Sequence, residues 1–336
     1  MPGKYSIILP VRNGGEYVKE CVRSILAQTY SDFRLQVLDN MSTDGTAEWI
    51  NSLNDSRIQI YPSDKSLTIE ENWSRITGIE KNEFITLIGH DDLLEPHYLG
   101  TMDRLINKHP NATLYQAHFN YIDSKGKLIR ACKPMDEVQS ASDFLSFFLC
   151  SMIDIMGTGF MMRSADYDDV GGIPPSYPNL LFADFELFIN LTKKGYKATA
   201  YENAFSFRLH HSMTTTSSDM KFHAAFGKFI EYIVQLKQQD SQFESVINRY
   251  ALDFLDYYSK GLSHRLLRTP GDKRHGKTVR STLQLIKQYA DMLVPGNSYE
   301  PEKQYSVRLA RRIDDNTITR SLFLLFKKVR SKPVLK

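Results

Sequence analysis

The sequence has few of the residues that cross-link small secreted domains, and it lacks the long apolar runs that cross a bilayer. Among 336 residues there are three cysteines, Cys21, Cys132 and Cys150, and they are widely spaced. This odd number suits neither a disulfide framework nor a zinc cluster, and it favours a reducing compartment. No apolar run approaches the ~20 residues that span a membrane, and we expect no secretory signal, because the sequence opens straight into a predicted strand. We therefore expect a cytoplasmic protein whose membrane contact, if any, is peripheral.

Charge of either sign is not in large excess, and the small excess lies at one end. The formal net charge is +3. Residues 320–336 hold six Lys or Arg and no acid, which leaves 36 basic and 39 acidic residues, a net charge of −3, in residues 1–319. The basic residues form no recognisable nucleic-acid motif and lack interleaved aromatic residues, so we expect no nucleic-acid partner.

Strands and helices alternate through the first part of the chain. Apolar strands at Tyr5 to Val11, at Leu35 to Leu38 and just before Gly89 each run into a polar turn, and helical periodicity follows. Such alternation predicts parallel strands joined by right-handed helical crossovers. The first part is therefore predicted to be a doubly wound α/β domain.

The pattern changes twice further along the chain. Beyond Pro96 it becomes mixed, and from about Asp219 long helical segments dominate, roughly over 219–239, 243–262, 277–293 and 318–329. We predict an α/β domain with a mixed sheet over residues 1–217. A helical region over 218–336 would serve packing, oligomerisation, which leaves a homodimer open, or membrane association.

Two adjacent carboxylates, Asp91 and Asp92, follow an apolar strand in the stretch EFITLIGHDDLLEP. Gly89 permits a sharp exit from the strand. Carboxylates at the C-terminal end of such a strand face the crevice where open α/β sheets bind ligands. Mg²⁺ or Mn²⁺ takes few protein carboxylates and completes its shell with water and phosphate oxygens, so the pair indicates a metal–diphosphate site. The alternative is that both residues only cap the following helix.

Four ordered motifs resemble those of family 2 glycosyltransferases with the GT-A fold. They are IILPVRNGGEYVKECVRSILAQTY, DNMSTDGT, IGHDDLLEP and FADFELFINLTKKGYK, and they span about residues 4–212. The resemblance implies a Rossmann-like, GT-A nucleotide-sugar-binding domain with a mixed sheet, followed by a C-terminal α-helical region. It implies an inverting enzyme of the bacterial polysaccharide or glycolipid type. Such an enzyme moves a sugar from a nucleotide-diphosphate donor to a hydroxyl of a glycan or lipid-linked acceptor.

The resemblance also implies a donor site at the ends of the first strands. Asp39 occupies the family position whose carboxylate accepts the N3–H of a uracil, which favours a UDP-sugar. Its alternative role is to cap the turn that follows, where Asp44 is expected to serve turn geometry. The other positions that match the family's donor contacts are Pro10, Arg12, Asn13, Asn40, Asn72, Asp91 and Arg208. Asn40 departs from a commoner aspartate, and Arg12 replaces a frequent aromatic residue but can stack on a base or bind phosphate.

The carboxylate pair lies where the family usually carries Asp-X-Asp-Asp, with Gly89 in place of the first aspartate. Alignment assigns Asp91 to the ribose and Asp92 to a Mg²⁺ or Mn²⁺ cofactor. His210 is implied as a further metal ligand, with an ordinary core or surface histidine as the alternative. Because one carboxylate is missing, we expect metal binding to be weak without the donor.

Asp184 is the implied catalytic base. In the family, a carboxylate at the start of this helix deprotonates the acceptor hydroxyl as it attacks the anomeric carbon. The alternative is that Asp184 only stabilises the helix N-terminus. Residues 157–160 match a segment that lines the acceptor side of the family's site.

Two other functions stay open at this point. A non-catalytic nucleotide- or carbohydrate-binding module on a degenerate GT-A fold would be supported by Gly89, by Asn40 and by Ala183 beside the implied base. The presence of both Asp92 and Asp184 argues against it. A sugar-phosphate nucleotidyltransferase would need a longer glycine-rich phosphate loop than the turn at residues 12–15 provides.

The last predicted helix combines an apolar run with a basic end. Residues 322–326 read LFLLF, and Lys327, Lys328, Arg330 and Lys332 follow. A segment of this kind can lie in an anionic bilayer surface, so residues 320–336 could hold the chain peripherally on the cytoplasmic face of the membrane. The alternative is a core helix with a solvated basic tail.

Overall fold

The computed structural model describes residues 3–209 and 219–329. They divide into two compact units, one formed by residues 3–144 with 153–209 and the other by Leu145–Met152 with 219–329. The predicted domain boundary at residue 217 lies outside the described residues and stays a prediction. The same holds for the predicted metal ligand His210.

One mixed sheet of ten strands organises the part of the first unit that the structure describes. The strands are β1 (Tyr5–Val11), β2 (Phe33–Asp39), β3 (Ile58–Tyr61), β4 (Phe84–Leu87), β5 (Leu93–Leu94), β6 (Leu114–Ile122), β7 (Leu128–Ala131), β8 (Val138–Gln139), β9 (Phe160–Arg163) and β10 (Lys197–Arg208). Their order is β3-β2-β1-β4-β9-β6-β10-β5, with β7 beside β6 and β8 beside β10. The first four neighbours are parallel, whereas β9 is antiparallel to both β4 and β6. The predicted mixed α/β sheet is confirmed.

Helices alternate with these strands along the chain. They are α1 (Gly15–Leu26), α2 (Thr46–Ser52), α3 (Ile69–Ser74), α4 (Tyr98–Lys108), α5 (Ala141–Leu149), α6 (Ser164–Asp169) and α7 (Ala183–Thr192). In α1 the buried residues Val18, Cys21, Val22 and Ile25 recur at helical spacing and form a single apolar face. A capping box fixes the start of α3, because Thr68 and Glu71 each accept a hydrogen bond from the other's backbone N–H.

The parallel strands place their carboxyl ends at one edge of the sheet. All seven residues of β1 are buried, as expected for a strand flanked by parallel neighbours and covered on both faces. Val11 lies opposite Asp39 in the register with β2, and Ile8 lies opposite Leu87 in the register with β4. The turns that follow these three strands therefore emerge at the same edge.

The second unit is helical, as predicted. Its helices are α8 (Asp219–Gln239), α9 (Ser241–Arg268), α10 (Val279–Leu293), α11 (Tyr305–Asp314) and α12 (Thr317–Val329). Sequence reasoning did not predict α11. Within the described ranges, no helix combines the length and apolar character that crossing a membrane requires.

A buried carboxylate joins helices of this second unit. One oxygen of Asp314 accepts from Arg274 Nη1 at 2.6 Å, and the other accepts from the Val279 N–H at the start of α10 at 2.8 Å. The side chains of Asp314 and Arg274 are only 1% and 7% exposed. Arg320 Nε of α12 lies 3.6 Å from the same carboxylate. The start of α10, the end of α11 and the first turn of α12 thus all lie at the Asp314 carboxylate.

Replacing Asp314 by alanine is expected to destabilise the protein by about 3–5 kcal/mol, because Arg274 would stay buried without its counter-ion. The matched control is Asp315→Ala. Asp315 is one third exposed and pairs with Arg280 at 2.8 Å, and a surface pair of this kind contributes at most about 1 kcal/mol. Urea unfolding of the full chain measures both variants, and equal losses would contradict a special role for Asp314.

Candidate functional site

Hydrogen bonds between side chains and backbone join the turns that follow β1 and β2. The N–H of Asn13 donates to Ser42 Oγ at 2.9 Å, and the N–H of Thr43 donates to Asn13 Oδ1 at 2.8 Å. The N–H of Gly15 donates to Asp44 Oδ2 at 2.9 Å, so Asp44 serves turn geometry, as expected. The backbone of both turns is therefore fixed by the protein itself.

The predicted donor contacts Pro10 and Arg12 lie on either side of the end of β1. Pro10 is buried within the strand, opposite Leu38 of β2. Arg12 is exposed in the turn, one residue beyond the strand. Of these two, only Arg12 presents a charged side chain to the outside of the turn.

Asp39, the last residue of β2, is 5% exposed. Its Oδ2 accepts from the Ser42 N–H at 3.2 Å, whereas Oδ1 is buried and has no hydrogen-bond partner among the described residues. Leaving a buried acceptor unpaired costs about 1–3 kcal/mol. Asp39 Oδ1 is therefore suited to an N–H or O–H that a ligand supplies.

Asn40 and Asn72 use their amides on the protein. Asn40 accepts from the Leu67 N–H at 2.8 Å and donates to the Leu67 carbonyl at 2.9 Å. Asn72 donates to the Leu38 carbonyl at 3.2 Å and accepts from Arg75 at 3.0 Å. Both amides hold the loop and α3 beside the end of β2, and direct donor contacts through them stay predictions.

Arg75 is a site residue that sequence reasoning missed. Its Nη1 donates to the Asp39 carbonyl at 3.2 Å, and its Nη2 donates to the carbonyls of Tyr61 and Pro62 at 2.7 and 2.8 Å. Burial lowers the pKa of Arg75. The residue also lines an open groove of about 730 Å³, with Thr68 and Pro178 among the other lining residues. That volume is in the range of small-molecule sites. The sequence did contain one indication of Arg75: it lies three residues after the predicted donor contact Asn72, on the same face of a helix.

Asp92 is held by donors from two other parts of the sheet. Thr158 Oγ1 donates to Oδ2 at 2.7 Å, and the N–H of Arg208 donates to Oδ1 at 3.0 Å. The second contact follows from register, because β5 starts one residue after Asp92 and pairs Leu93 with Ser206. Asp92 is 1% exposed, and its burial, followed by the neighbouring Asp91, raises its pKa.

The donor set at Asp91 and Asp92 fits a hard divalent cation. A carboxylate has about four lone-pair positions, so the two protein hydrogen bonds to Asp92 leave acceptor capacity. Within residues 3–209 and 219–329, no group of three or more His, Cys, Asp or Glu could hold a metal. Two carboxylates suit Mg²⁺ or Mn²⁺ that takes its other ligands from phosphate and water, rather than a metal in a closed protein cage.

Gly89 leaves room for the two carboxylates. A Cβ at this position would lie 2.8 Å from Asp91 Oδ1 and 3.1 Å from Asp92 Oδ2. Any side chain here would therefore displace the carboxylates from their present positions. Glycine replaces the first aspartate of the family's Asp-X-Asp-Asp pattern at a position where the Asp91 and Asp92 carboxylates fill the space that a side chain would need.

The guanidinium of Arg208 is enclosed by the protein. Its Nη2 pairs with Glu20 at 2.6 Å, and its Nε donates to the Asp91 carbonyl at 2.8 Å. Its Cζ lies over the Tyr17 ring, 4.7 Å from the ring centroid. The Arg208 side chain is fully buried. It therefore fixes the Asp91 backbone against α1, and the predicted contact with a donor diphosphate would require it to leave these partners. Sequence reasoning missed Glu20 and Tyr17.

Asp184 lies half-buried in the first turn of α7, next to Gly157. A Cβ on Gly157 would be 3.5 Å from Asp184 Oδ2. Asp184 Oδ1 accepts from the Phe185 N–H at 2.9 Å. Burial raises the pKa of Asp184 to about 6. A carboxyl group with a pKa near neutrality can accept a proton in catalysis. Its position in the first turn is also compatible with helix stabilisation.

The segment 157–159 connects Asp184 with Asp92. Thr158, which sequence reasoning did not single out, bonds Asp92, while Gly157 lies against Asp184. Gly159 has a φ of +78°, and a Cβ there would come within 2.8 Å of the Phe205 ring. Only glycine allows this close approach. The Asp92 and Asp184 carboxylates thus contact neighbouring residues of one segment, Thr158 and Gly157.

The backbone just before α7 is strained. Asn179, Leu180 and Phe182 have positive φ angles of 56°, 54° and 70°. For leucine and phenylalanine such angles are costly, and they persist where the surrounding structure imposes them, often at functional sites. One anchor is the Asn179 N–H, which donates to Glu70 Oε1 of α3 at 2.7 Å. The strained segment therefore connects α3 with the helix that carries Asp184.

Sequence comparison agrees with the motifs. Residues 6–171 match the family model described as Glycosyl transferase family 2. Glycosyltransferase GlyG of Streptococcus pneumoniae serotype 4 is 25% identical to this chain over 123 residues, which make up 36% of this chain. The match spans 41% of GlyG, less than half the length of that relative.

Solved structures of similar fold cover nearly the whole chain. S. aureus TarS 1-349, in complex with UDP-GlcNAc, superposes with a TM-score of 0.63 at 13% identity, over 98% of this chain and 93% of that one. Mannosyltransferase PcManGT from Pyrobaculum calidifontis, in complex with GDP-Man and Mn²⁺, gives a TM-score of 0.53 at 11% identity, over 98% and 88%. At these identities the likeness shows the fold, and the predicted GT-A fold with its helical region is confirmed.

The family match covers the strands that end at Asp39 and before Asp92, and the fold match extends over both units of the chain. Residues 6–171 form a glycosyltransferase family 2 domain, and the chain has the GT-A fold.

Proposed function

We propose that this chain is an inverting glycosyltransferase that moves a sugar from a nucleotide-diphosphate donor to a hydroxyl of a glycan or lipid-linked acceptor. The observation that carries the proposal is the segment 157–159. Asp92 bonds Thr158, and Asp184 lies against the preceding Gly157. Asp92, which suits a metal–diphosphate group, and Asp184, whose pKa is about 6, therefore contact adjacent residues of the same segment.

A UDP-sugar is the favoured donor. Asp39 Oδ1 can accept the N3–H of a uracil, which would satisfy a buried atom that has no partner in residues 3–209 and 219–329. Arg12 is exposed at the end of β1, where a guanidinium can stack on the base or bind a phosphate. The fold relative TarS was solved with UDP-GlcNAc. Asp91 would contact the ribose.

Asp92 would hold the Mg²⁺ or Mn²⁺, with His210 as a further candidate ligand. A cation at this position supplies positive charge that offsets the charge developing on the departing diphosphate. The protein's part is to keep the Asp92 carboxylate fixed through Thr158 and the Arg208 N–H. The fold relative PcManGT was solved with Mn²⁺.

Asp184 would act as the general base. It accepts the proton of the acceptor hydroxyl while that oxygen forms a bond to the anomeric carbon and the bond from this carbon to the diphosphate oxygen breaks. Because attack comes from the face opposite the leaving group, the anomeric configuration is inverted. General-base catalysis contributes typically ~10²–10⁴-fold to a rate.

A panel of nucleotide-sugars with acceptor glycans and Mn²⁺ tests the proposal by the release of nucleotide diphosphate. The expected result is release with at least one UDP-sugar and its loss when EDTA removes the cation. Pyrophosphate exchange instead would indicate a nucleotidyltransferase. The absence of any turnover, with donor binding retained, would indicate the non-catalytic binding module.

Replacing Asp184 by asparagine is expected to lower transfer at least about a hundredfold, because an amide cannot accept the hydroxyl proton. Donor affinity should change less than about threefold. The matched control is Glu186→Gln, in the same turn of α7, where the wild-type carboxylate bonds the Tyr177 hydroxyl. Steady-state rates and donor titrations measure both effects. Normal turnover by Asp184→Asn would refute the assignment.

The pH dependence of kcat/KM follows from the raised pKa of Asp184. A base with a pKa of about 6 is protonated and inactive below that pH, so the rate should rise about tenfold per pH unit there and level off above it. The residual activity of Asp184→Asn should lose this limb. A wild-type rate that falls as the pH increases through 6 would contradict a base role.

A further inference from the structure

Helix α12 presents large apolar side chains to solvent. Ile318, Leu322 and Leu325 are 70%, 61% and 61% exposed, and Phe326 is 51% exposed. Their spacing of four, three and one residues places them on one side of the helix. Single exposed apolar residues are ordinary, but a contiguous exposed stripe marks a site of interaction with a protein or a membrane.

The opposite side of α12 is attached to the second unit. Phe323 packs against an apolar cluster made of Leu266, Leu267, Val279, Leu283, Val307 and Ala310. Arg320 Nη2 donates to the Thr269 carbonyl at 2.7 Å. The helix is therefore docked with a defined side inward. The exposed stripe is a surface of the folded unit.

The adjacent helix α11 adds an aromatic and basic surface. Tyr305 and Leu309 are 69% and 42% exposed. Arg308 lies over the Tyr305 ring, with its Cζ 5.9 Å from the ring centroid, and Arg312 is exposed one turn further on. Aromatic and aliphatic side chains together with arginine are the composition of helices that lie in the interface of a membrane.

Charge distinguishes between the partners that could cover this surface. Residues 327–336 contain five basic residues and no acid. A second copy packed symmetrically through the same stripe would bring its own basic segment to the contact, and like charges would oppose association. An anionic bilayer offers apolar depth to the stripe and a negative surface to the basic residues.

We propose that α11 and α12 dock this chain on an anionic membrane surface, with Ile318, Leu322 and Leu325 inserted at the boundary between headgroups and acyl chains. The docking does not depend on glycosyl transfer. It is a partition between water and lipid that can be measured without donor or acceptor.

Flotation of the full chain with phosphatidylglycerol–phosphatidylcholine vesicles tests this docking. The variant with Leu322→Asp and Leu325→Asp is expected to bind at least about tenfold more weakly, because two inserted leucines become charged. The matched control is Leu128→Asp with Ile129→Asp on β7, where the side chains are 59% and 46% exposed. This control changes charge and exposed apolar area similarly and should bind like the wild type.

The electrostatic part of the docking has its own test. Binding should weaken at least about tenfold on vesicles of phosphatidylcholine alone, and it should also decrease as added salt screens the surface charge. If the aspartate variant melts earlier than the wild type, Leu322→Ser with Leu325→Ser replaces it.

Equal flotation of the wild type and the α12 variant would overturn the proposal, and so would the absence of wild-type flotation. If the wild type does not float but self-associates in sedimentation equilibrium, and the α12 variant abolishes that self-association, the stripe is assigned to another copy of this chain.

Discussion

The two hydrogen bonds to the Asp92 carboxylate bring together three parts of the chain that lie far apart in the sequence. In the sheet, β10 is separated from β4 by β9 and β6. Asp92 follows β4, Thr158 precedes β9, and Arg208 ends β10, and all three meet at one carboxylate. Hydrogen bonds to a charged group contribute about 1.5–3 kcal/mol each, and leaving the buried carboxylate unpaired would cost more. The position of the candidate metal site is therefore a consequence of the strand order in the sheet.

Much of the remaining site geometry depends on this contact. Because Thr158 is fixed, Gly157 is held beside Asp184. Because the end of β10 is fixed, the Arg208 guanidinium reaches Glu20 and the Asp91 carbonyl. The glycines at 89 and 159 are needed where carboxylates and the Phe205 ring come too close for a side chain. The predicted donor side is organised separately, through Arg75 and the joined turns after β1 and β2.

The sequence predicted those features that local patterns encode. Apolar runs ending in polar turns predicted the parallel strands, and the motif order predicted the fold and the edge at which Asp39 lies. The sequence did not predict that Thr158 would bond Asp92, since 66 positions separate them and their contact depends on β9 entering antiparallel beside β4. Apolar periodicity indicates that a strand exists, but it does not give the order of strands in a sheet.

Two other differences have physical reasons as well. Helix α11 buries only Val307 and Ala310 along its ten residues, so its apolar signal was too short to recognise. Asn40 and Asn72 are polar residues at the donor edge, yet their amides bond the backbone and other side chains of the protein. A residue type alone cannot show whether an amide faces a ligand or a loop.

At the edge formed by β1, β2 and β4, Asp39 Oδ1 is a buried acceptor without a hydrogen-bond partner in the part of the chain that the structure describes, and we infer that it recognises the base of a nucleotide. Calorimetric titration of the full chain with UDP and with UDP methylated at N3, which has lost the N3–H, tests this role. UDP is expected to bind, and the methylated nucleotide is expected to bind at least about tenfold more weakly, since Oδ1 would again be buried without a donor. Equal affinity for the two nucleotides would refute base recognition by Asp39.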